Sequence, residues 1–378
     1  MKKDSKIGII TFHASHNCGS MMQAYALQNV LFKNGYNNEI IDFQTEGQKD
    51  KYAVWHSKPN IKNVVKNFIS LTHPIKMQKV WNEYESFMSK NMILSQEKYT
   101  KKEELNNISK KYNLCICGAD QIWNITIKDA SDAYFLPYMN IKKVAYAPSF
   151  GAKKIQDHTN EVDKYKKYLV DFDALSIREK NGQKWIDELI NTKVPIVLDP
   201  TLLLDANDYD KIREASHIKG KYIFYYAPTY SKKLDKFVKK IGKKYNLPII
   251  VWNAREYFFR FEWVNGFKLT KVEHPGIYLD LIKNAELVIT TSFHGTIFST
   301  IYRKKFWTLK NGEMYQDDDR VKTLINQLKI EDRLISPKFD ENIDYMKEVD
   351  YSQYERQLPK LKEESINYLF DSIRGVTK

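Results

Sequence analysis

Short apolar runs that stop at polar, Gly- or Pro-marked loops recur along this chain, and the first of them limits the fold most. "KIGIITF" (Lys6–Phe12) is a β-rich run that ends in the polar loop "HASHNCGS". In the next segment, "MMQAYALQNVLFKNGY", Met22, Ala26 and Val30 fall on one line with Leu27 and Leu31 beside it. That is helical spacing, and Gly35 stops it. "NEIIDF" then reads as a second strand. A β-loop-α-β opening is the first turn of an α/β sheet.

The pattern resumes with "NLCICGADQIWN", "KKVAYAPSFG", "FDALSIREKNG" and "VPIVLDPTLLL", each read as a short strand running into a loop. A second α/β block begins at "KYIFYYAPTY", with "KKLDKFVKKIGKKY" as helix and "LPIIVWN" as strand. At 378 residues the chain exceeds one ordinary core, so two domains are expected. The reading is two Rossmann-like domains, residues 1–205 and 206–350, with charged residues replacing apolar strands across Asp205–Lys219. Residues 44–110, rich in Lys and Asn but still aromatic, read as a helical insertion in the first. Residues 351–378 read as a helix that packs back on the first domain through Leu358, Leu361 and Ile366.

A net charge of +13 calls for an anionic partner: a phosphorylated substrate, nucleic acid or an anionic membrane surface. Clusters such as "KKFVKKIGKK" have the form of a solvated helix face, and no RNP sequence, zinc finger or basic arm is present, which argues against nucleic acid. Apolar runs fall far short of the about 18 residues a membrane span needs. The run Ile7–Phe12 is also too short for a secretory h-region. Three cysteines cannot build a disulfide framework and fit a reducing compartment. A cytoplasmic protein is expected, with room for peripheral contact at the inner face of the membrane and no indication of oligomeric state. Cys115 and Cys117 alternate along a strand and so share one face, a core position. His13, His16 and Cys18 invite a metal reading, but their loop lacks an acidic partner, so a helix-start or substrate loop is expected there.

One histidine is placed for chemistry. Tyr278, Leu281, Ile282 and Ala285 have helical spacing, "ELVIT" follows as a strand, and "GTIFSTIY" reads as a new helix before the strand "FWTL". His294 is therefore expected at a strand's carboxyl end just ahead of a helix N-terminus. Ligands bind at that edge of an open α/β sheet, and free N–H groups and the helix dipole favour an anion there.

Six segments occur in a fixed order: "NCGSMMQAYAL", "GADQIWN", "YAPSFG", "SIREKNG", "LDPTLLL" and "TTSFHGTIFS". Together they resemble the polysaccharide pyruvyl transferase family, over about residues 6 to 335 and least within Gln44–Lys110. The resemblance implies a fold of the GT-B type, with two Rossmann-like domains facing across a cleft. It implies transfer of pyruvate from phosphoenolpyruvate, as co-substrate, to sugar hydroxyls as a cyclic ketal. Acceptors would be cell-surface polysaccharides or their lipid-linked precursors, and no bound cofactor or metal is needed. The family's histidine maps onto His294, its strand-end aspartate onto Asp120, and the arginine after its central strand onto Arg178. Many members carry an arginine where this chain has Ser292, and the "SFHG" branch lacks it as this chain does. Arg320 matches a downstream arginine of that branch, and Arg303 and Lys304 are further candidates.

Adding an alcohol at C2 of phosphoenolpyruvate requires a proton at C3, for which a histidine held beside an anion suits as general acid. The expected roles are therefore His294 as acid and Asp120 as base. Arg178 and Arg320 would hold the donor's charges, with Gly295, Thr296 and Ser292 at the helix start. Asn17, Gly19, Ser20, Gln23, Gln121 and Trp123 are candidates for substrate contact. Against these stand bland readings: Asp120 as a helix cap and Arg178–Glu179 as a surface ion pair. Two other functions share the architecture. One is a nucleotide-sugar glycosyltransferase, although Glu273 and Glu286 lack the eight-residue spacing of its usual glutamate pair. The other is a non-catalytic sugar- or phosphate-binding module of polysaccharide assembly.

Overall fold

The computed structural model describes residues 6–57, 60–137, 140–310 and 319–376. In chain order the first half contains β1 (Ile7–Ile10), α1 (Cys18–Lys33), β2 (Asn38–Phe43), α2 (Glu46–Tyr52), α3 (Ile61–Thr72), α4 (Pro74–Asn91), β3 (Leu94–Tyr99), β4 (Leu114–Cys117), β5 (Lys142–Ala145), α5 (Val162–Val170), β6 (Ala174–Leu175), α6 (Lys180–Ile190) and α7 (Ala206–Asp210). The second contains β7 (Ile223–Tyr226), α8 (Lys232–Tyr245), β8 (Ile249–Val251), α9 (Ala254–Phe259), β9 (Lys268–Leu269), α10 (Pro275–Asn284), β10 (Leu287–Thr290), α11 (Phe293–Ile301), β11 (Phe306–Leu309), α12 (Arg320–Leu328), β12 (Leu334–Ile335) and α13 (Ser352–Val376).

The strands form two six-stranded sheets, ordered β3-β2-β1-β4-β5-β6 and β12-β11-β10-β7-β8-β9. All pairs are parallel. Counted from its own first strand, each sheet runs 3-2-1-4-5-6, the Rossmann order. Strands β1, β4, β7 and β10 are buried at every residue because helices cover both faces, which is why they read as unbroken apolar runs. The fold is therefore α/β, with two Rossmann-like halves facing across a cleft in the manner of the GT-B class.

Helix α1 lies between the two sheets. It packs on α10 and α11 of the second half, so it is apolar nearly all round rather than along one stripe. Helix α13 starts on the second half, where the Arg303 guanidinium lies 4.4 Å from the Tyr354 ring. It ends on the first: Ser365 Oγ accepts from the Leu198 amide at 3.0 Å, and Phe370 stacks on Tyr36 at 5.3 Å.

Three readings need correction. The segment 44–110 is not helical throughout, because β3 returns from α4 to pair with β2 as the sheet edge. "VPIVLDPTLLL" is not a strand: Ile196 makes an isolated bridge to Ile177, and a single 3-10 turn follows at Pro200–Leu202. Helix α11 begins at Phe293, so His294 sits inside its first turn, not ahead of it.

Candidate functional site

The carboxyl ends of both sheets open onto one cleft of about 370 Å³. Asn17 and Ser20 reach it from behind β1, Asp120 and Gln121 from behind β4, and Pro228 from behind β7. Thr291, Ser292, Phe293 and His294 follow β10. β1 adjoins β4, and β7 adjoins β10, so each pair marks the point where strand order reverses in its sheet. The cleft thus faces two topological switch points at once.

Arg178, behind β6, joins the two carboxylates of the site. Its Nη1 donates to Asp199 Oδ2 at 2.7 Å, and its Nη2 stands 3.6 Å from Asp120 Oδ1. The guanidinium lies over the Phe293 ring at 4.3 Å. Asp120 has a left-handed φ of 69°, uncommon for a residue with a side chain. Its carboxylate accepts from Ser20 Oγ at 2.6 Å and from the Gln121 amide at 2.8 Å. No helix follows Asp120, so the capping reading does not apply. Nor is Arg178 a surface ion pair, since only 3% of it is exposed.

His294 Nε2 lies 3.4 Å from Asp199 Oδ2. Asp199 also accepts from the Thr201 amide at 3.0 Å and from Thr201 Oγ1 at 2.7 Å, and both bonds fix the carboxylate. The imidazole is seated from the opposite half. A Cβ added to Gly19, in the first turn of α1, would sit 2.2 Å from His294 Nδ1, so the ring rests where a side chain would be. Asp199 is therefore the carboxylate that faces the imidazole. The sequence reading passed over it: "LDPTLLL" was visible as a motif, but nothing in its spacing pointed to His294.

Burial alone would raise both aspartates, but their partners outweigh it. His294, then Arg178 and Thr201, hold Asp199 well below the ordinary carboxylate range. Arg178, His294 and Ser20 lower Asp120. Glu179 goes the other way. Burial pushes it up to about 7 despite Arg178 and Arg320 nearby. Its Oε1 accepts from the Phe150 amide at 3.0 Å, and Oε2 stands 4.0 Å from Arg178 Nε. Glu179 backs Arg178 from the side away from the cleft.

Among the described residues lining the cleft, Arg178, Lys310, Arg320 and Lys322 face one carboxylate, Asp120. This excess of positive charge suits an anion. Lys310 and Lys322 could not be singled out in so lysine-rich a chain. Ser292 lines the cleft and caps α11, accepting from the Gly295 amide at 3.2 Å.

Of the residues singled out from the sequence, Asn17, Ser20, Asp120, Gln121, Arg178, Ser292, His294 and Arg320 line the cleft. Others support it from behind. Gln23 is buried, donating to Thr11 Oγ1 at 2.8 Å and accepting from the Ala119 amide at 2.8 Å, so it clamps the β4 loop instead of meeting substrate. Trp123 is buried, its Nε1 bonded to the Tyr134 carbonyl at 3.2 Å and its ring stacked on Phe135. Gly295 is required by packing, because a Cβ there would meet Thr290 Oγ1 at 2.5 Å. Thr296 is buried against Thr308 Oγ1 at 2.7 Å. Arg303 and Lys304 sit at the far end of α11, where Lys304 Nζ donates to the Lys283 carbonyl at 2.8 Å. His13 and His16 do have acidic partners, supplied from elsewhere in the fold: Asp42 at 3.1 Å and Glu85 at 2.9 Å.

A second cavity, of about 410 Å³, shares Asn17, Gln121 and Pro228 with the first. Its walls include Trp81, Tyr84 and Trp252, with Lys66, Arg255 and Glu273. Glu273 is buried; its Oε2 accepts from the Ala254 amide at 3.1 Å, while Oε1 has no hydrogen-bond partner.

No curated protein sequence matches the chain. Among solved structures it is similar to the UDP-GlcNAc 2-epimerase of Methanocaldococcus jannaschii, at 14% identity and a TM-score of 0.49, over 96% of this chain and 93% of that one. The UDP-GlcNAc 2-epimerase of Neisseria meningitidis gives 10% and 0.48, over 97% and 100%. The E. coli heptosyltransferase WaaC gives 11% and 0.35, over 80% and 88%. The family described as polysaccharide pyruvyl transferase matches residues 17–313. With that match over most of its length, the chain belongs to the polysaccharide pyruvyl transferase family.

Proposed function

We propose that this protein transfers pyruvate from phosphoenolpyruvate to hydroxyls of a sugar in a surface polysaccharide or its lipid-linked precursor, closing a ketal. The observation that carries the reading is a single histidine, backed by Asp199 at 3.4 Å, inside a cleft lined by Arg178, Lys310, Arg320 and Lys322. One proton donor among several cations is what a triply charged enol phosphate needs. His294 gives its proton to C3, and C2 becomes cationic. An acceptor hydroxyl adds to C2 while Asp120, through or beside Ser20, takes the hydroxyl proton. A carboxylate held below its usual range is a weak base, but it suffices for an oxygen already bonding to a cationic carbon. Phosphate then leaves with the C2–O electron pair and takes the proton from Asp120. A second hydroxyl bonds to C2 and gives its proton to the now neutral His294, which closes the ring and restores the acid.

Arg320, with the two lysines, supplies charge in a cleft where Ser292 stands in place of an arginine. The second cavity gives the acceptor its room: the exposed Trp81 for a sugar ring and Glu273, whose Oε1 stands 4.0 Å from Lys76 Nζ, for a hydroxyl. Incubation with phosphoenolpyruvate and candidate acceptors, following phosphate release and product mass, tests the reading. A product heavier by one pyruvyl unit supports it. Turnover of a nucleotide sugar with no use of phosphoenolpyruvate would replace it with glycosyl transfer. Binding of both ligands without turnover would leave a binding module.

A further inference from the structure

From Lys51 to Asn82 the chain contains no Asp or Glu, yet it carries Lys51, Lys58, Lys62, Lys66, Lys76 and Lys79. This stretch holds α3 and the first half of α4, and the apolar stripe of α3 is turned the wrong way for a surface helix. Ile61, Val64, Phe68 and Leu71 follow one another at three- and four-residue steps, a single stripe along α3, and all are exposed. Ile61 is 85% exposed, and Ile75, at the start of α4, is 84%. The residues that α3 buries are Asn63, Ile69 and Ser70.

A second apolar group adjoins the first. α3 packs on α9, and the His73 ring, at the end of α3, stacks on Phe258 at 3.7 Å. The end of α9 and the tip that follows it expose Phe259, Phe261, Trp263 and Val264. Isolated exposed apolar residues are ordinary, but a clustered set of this size marks an interaction surface.

We propose that the outward face of α3 and the tip after α9 dock this protein on an anionic lipid bilayer. Charge selects this occupant. A lysine-rich segment with no acid of its own complements anionic headgroups better than a second copy of itself. A basic helix with a bulky apolar face, flanked by Trp and Phe, is the form that lies in the bilayer interface. Among the described residues no helix is long and apolar enough to cross a membrane, so the contact is peripheral.

The same elements wall the second cavity, through Lys66, Met77, Val80 and Trp81 of α3 and α4 and Arg255 of α9. Docking by this face brings that cavity to a sugar whose lipid phosphate is held in the membrane. This consequence rests on the pyruvyl transfer reading; the docking itself does not.

Flotation with phosphatidylcholine vesicles, with and without phosphatidylglycerol, tests the proposal apart from catalysis. The wild type should float with the anionic vesicles, more weakly in high salt, and hardly with the neutral ones. Val64→Asn/Phe68→Asn/Leu71→Asn should lose roughly tenfold or more of this binding, with fold and turnover on a water-soluble acceptor unchanged. Lys62→Glu/Lys79→Glu should weaken binding and flatten its salt dependence. The proposal is overturned if the wild type floats with neither vesicle, or if the triple variant floats as well as wild type. A wild-type dimer that the triple variant dissociates, without vesicle binding, would instead make the face an interface between copies.

Discussion

Arg178 and Arg320 both line the cleft, and Arg178 also holds its carboxylates together. Arg178 is bonded to Asp199 and lies close to Asp120, so Arg178→Ala leaves two buried carboxylates without their cation. Removing one partner of a buried pair costs on the order of 3–5 kcal/mol. Denaturant unfolding should show that loss, which means that weak donor binding in this variant cannot be assigned to the donor alone. Arg320→Ala should weaken phosphoenolpyruvate binding by about 2–4 kcal/mol in calorimetry. At His294 the prediction concerns proton transfer. His294→Gln should fold normally and lower turnover by roughly 10²–10⁴, because an amide can donate a hydrogen bond but cannot release a proton. A glutamine variant turning over near the wild-type rate would end the general-acid role. His294, Asp120 and Arg178 could be placed at the cleft because each lies within a recognisable motif. Asp199 and Glu179 were not, since their roles come from side chains that only the fold brings beside them.

Among the elements, α1 shows where sequence pattern succeeds and where it stops. Its spacing named a helix correctly, but burial nearly all round means that no single face could reveal its position between the two sheets. Gly19 read as a substrate-loop residue and proves to be the seat of the histidine. Gly19→Ala tests that. The added methyl would displace the His294 ring, so turnover should fall much as for His294→Gln while the helix, if anything, gains from alanine. Wild-type turnover from a folded Gly19→Ala protein would mean that the ring need not rest there. Short strands were readable as apolar runs because both sheet faces are covered. β3 escaped notice because "LSQEKY" sits at the sheet edge, half exposed, and carries no such run.

For the whole molecule, buried carboxylates make stability depend on pH in two opposed ways. Asp199 and Asp120 titrate lower in the fold than in the unfolded chain. Their contribution is complete above the unfolded carboxylate range and is lost as pH falls through the folded values. Glu179 titrates at about 7 in the fold against an ordinary 4.5, so the native state holds a proton that the unfolded chain releases between those values. Stability should therefore fall as pH rises through that window, and Glu179→Gln should remove that slope in denaturation series from about pH 5 to 8. An unchanged slope would show that Glu179 ionises freely. Both sheets were anticipated from the recurring strand-and-loop pattern, whereas the cleft between them came only with the family resemblance, because facing surfaces leave no periodicity. The return of α13 to the first half also has a mechanical meaning. The chain passes between the halves twice, once between Leu175 and Ile223 and again through α13. A rigid body pinned to another at two points keeps a single axis of rotation, the line through the pins. Spin-label pairs at two heights of the cleft should therefore widen in fixed proportion when it opens, and independent widths would show a looser joint. On a hinge of this kind the halves would swing as a door does, and each closing would carry His294 along the same arc onto Gly19.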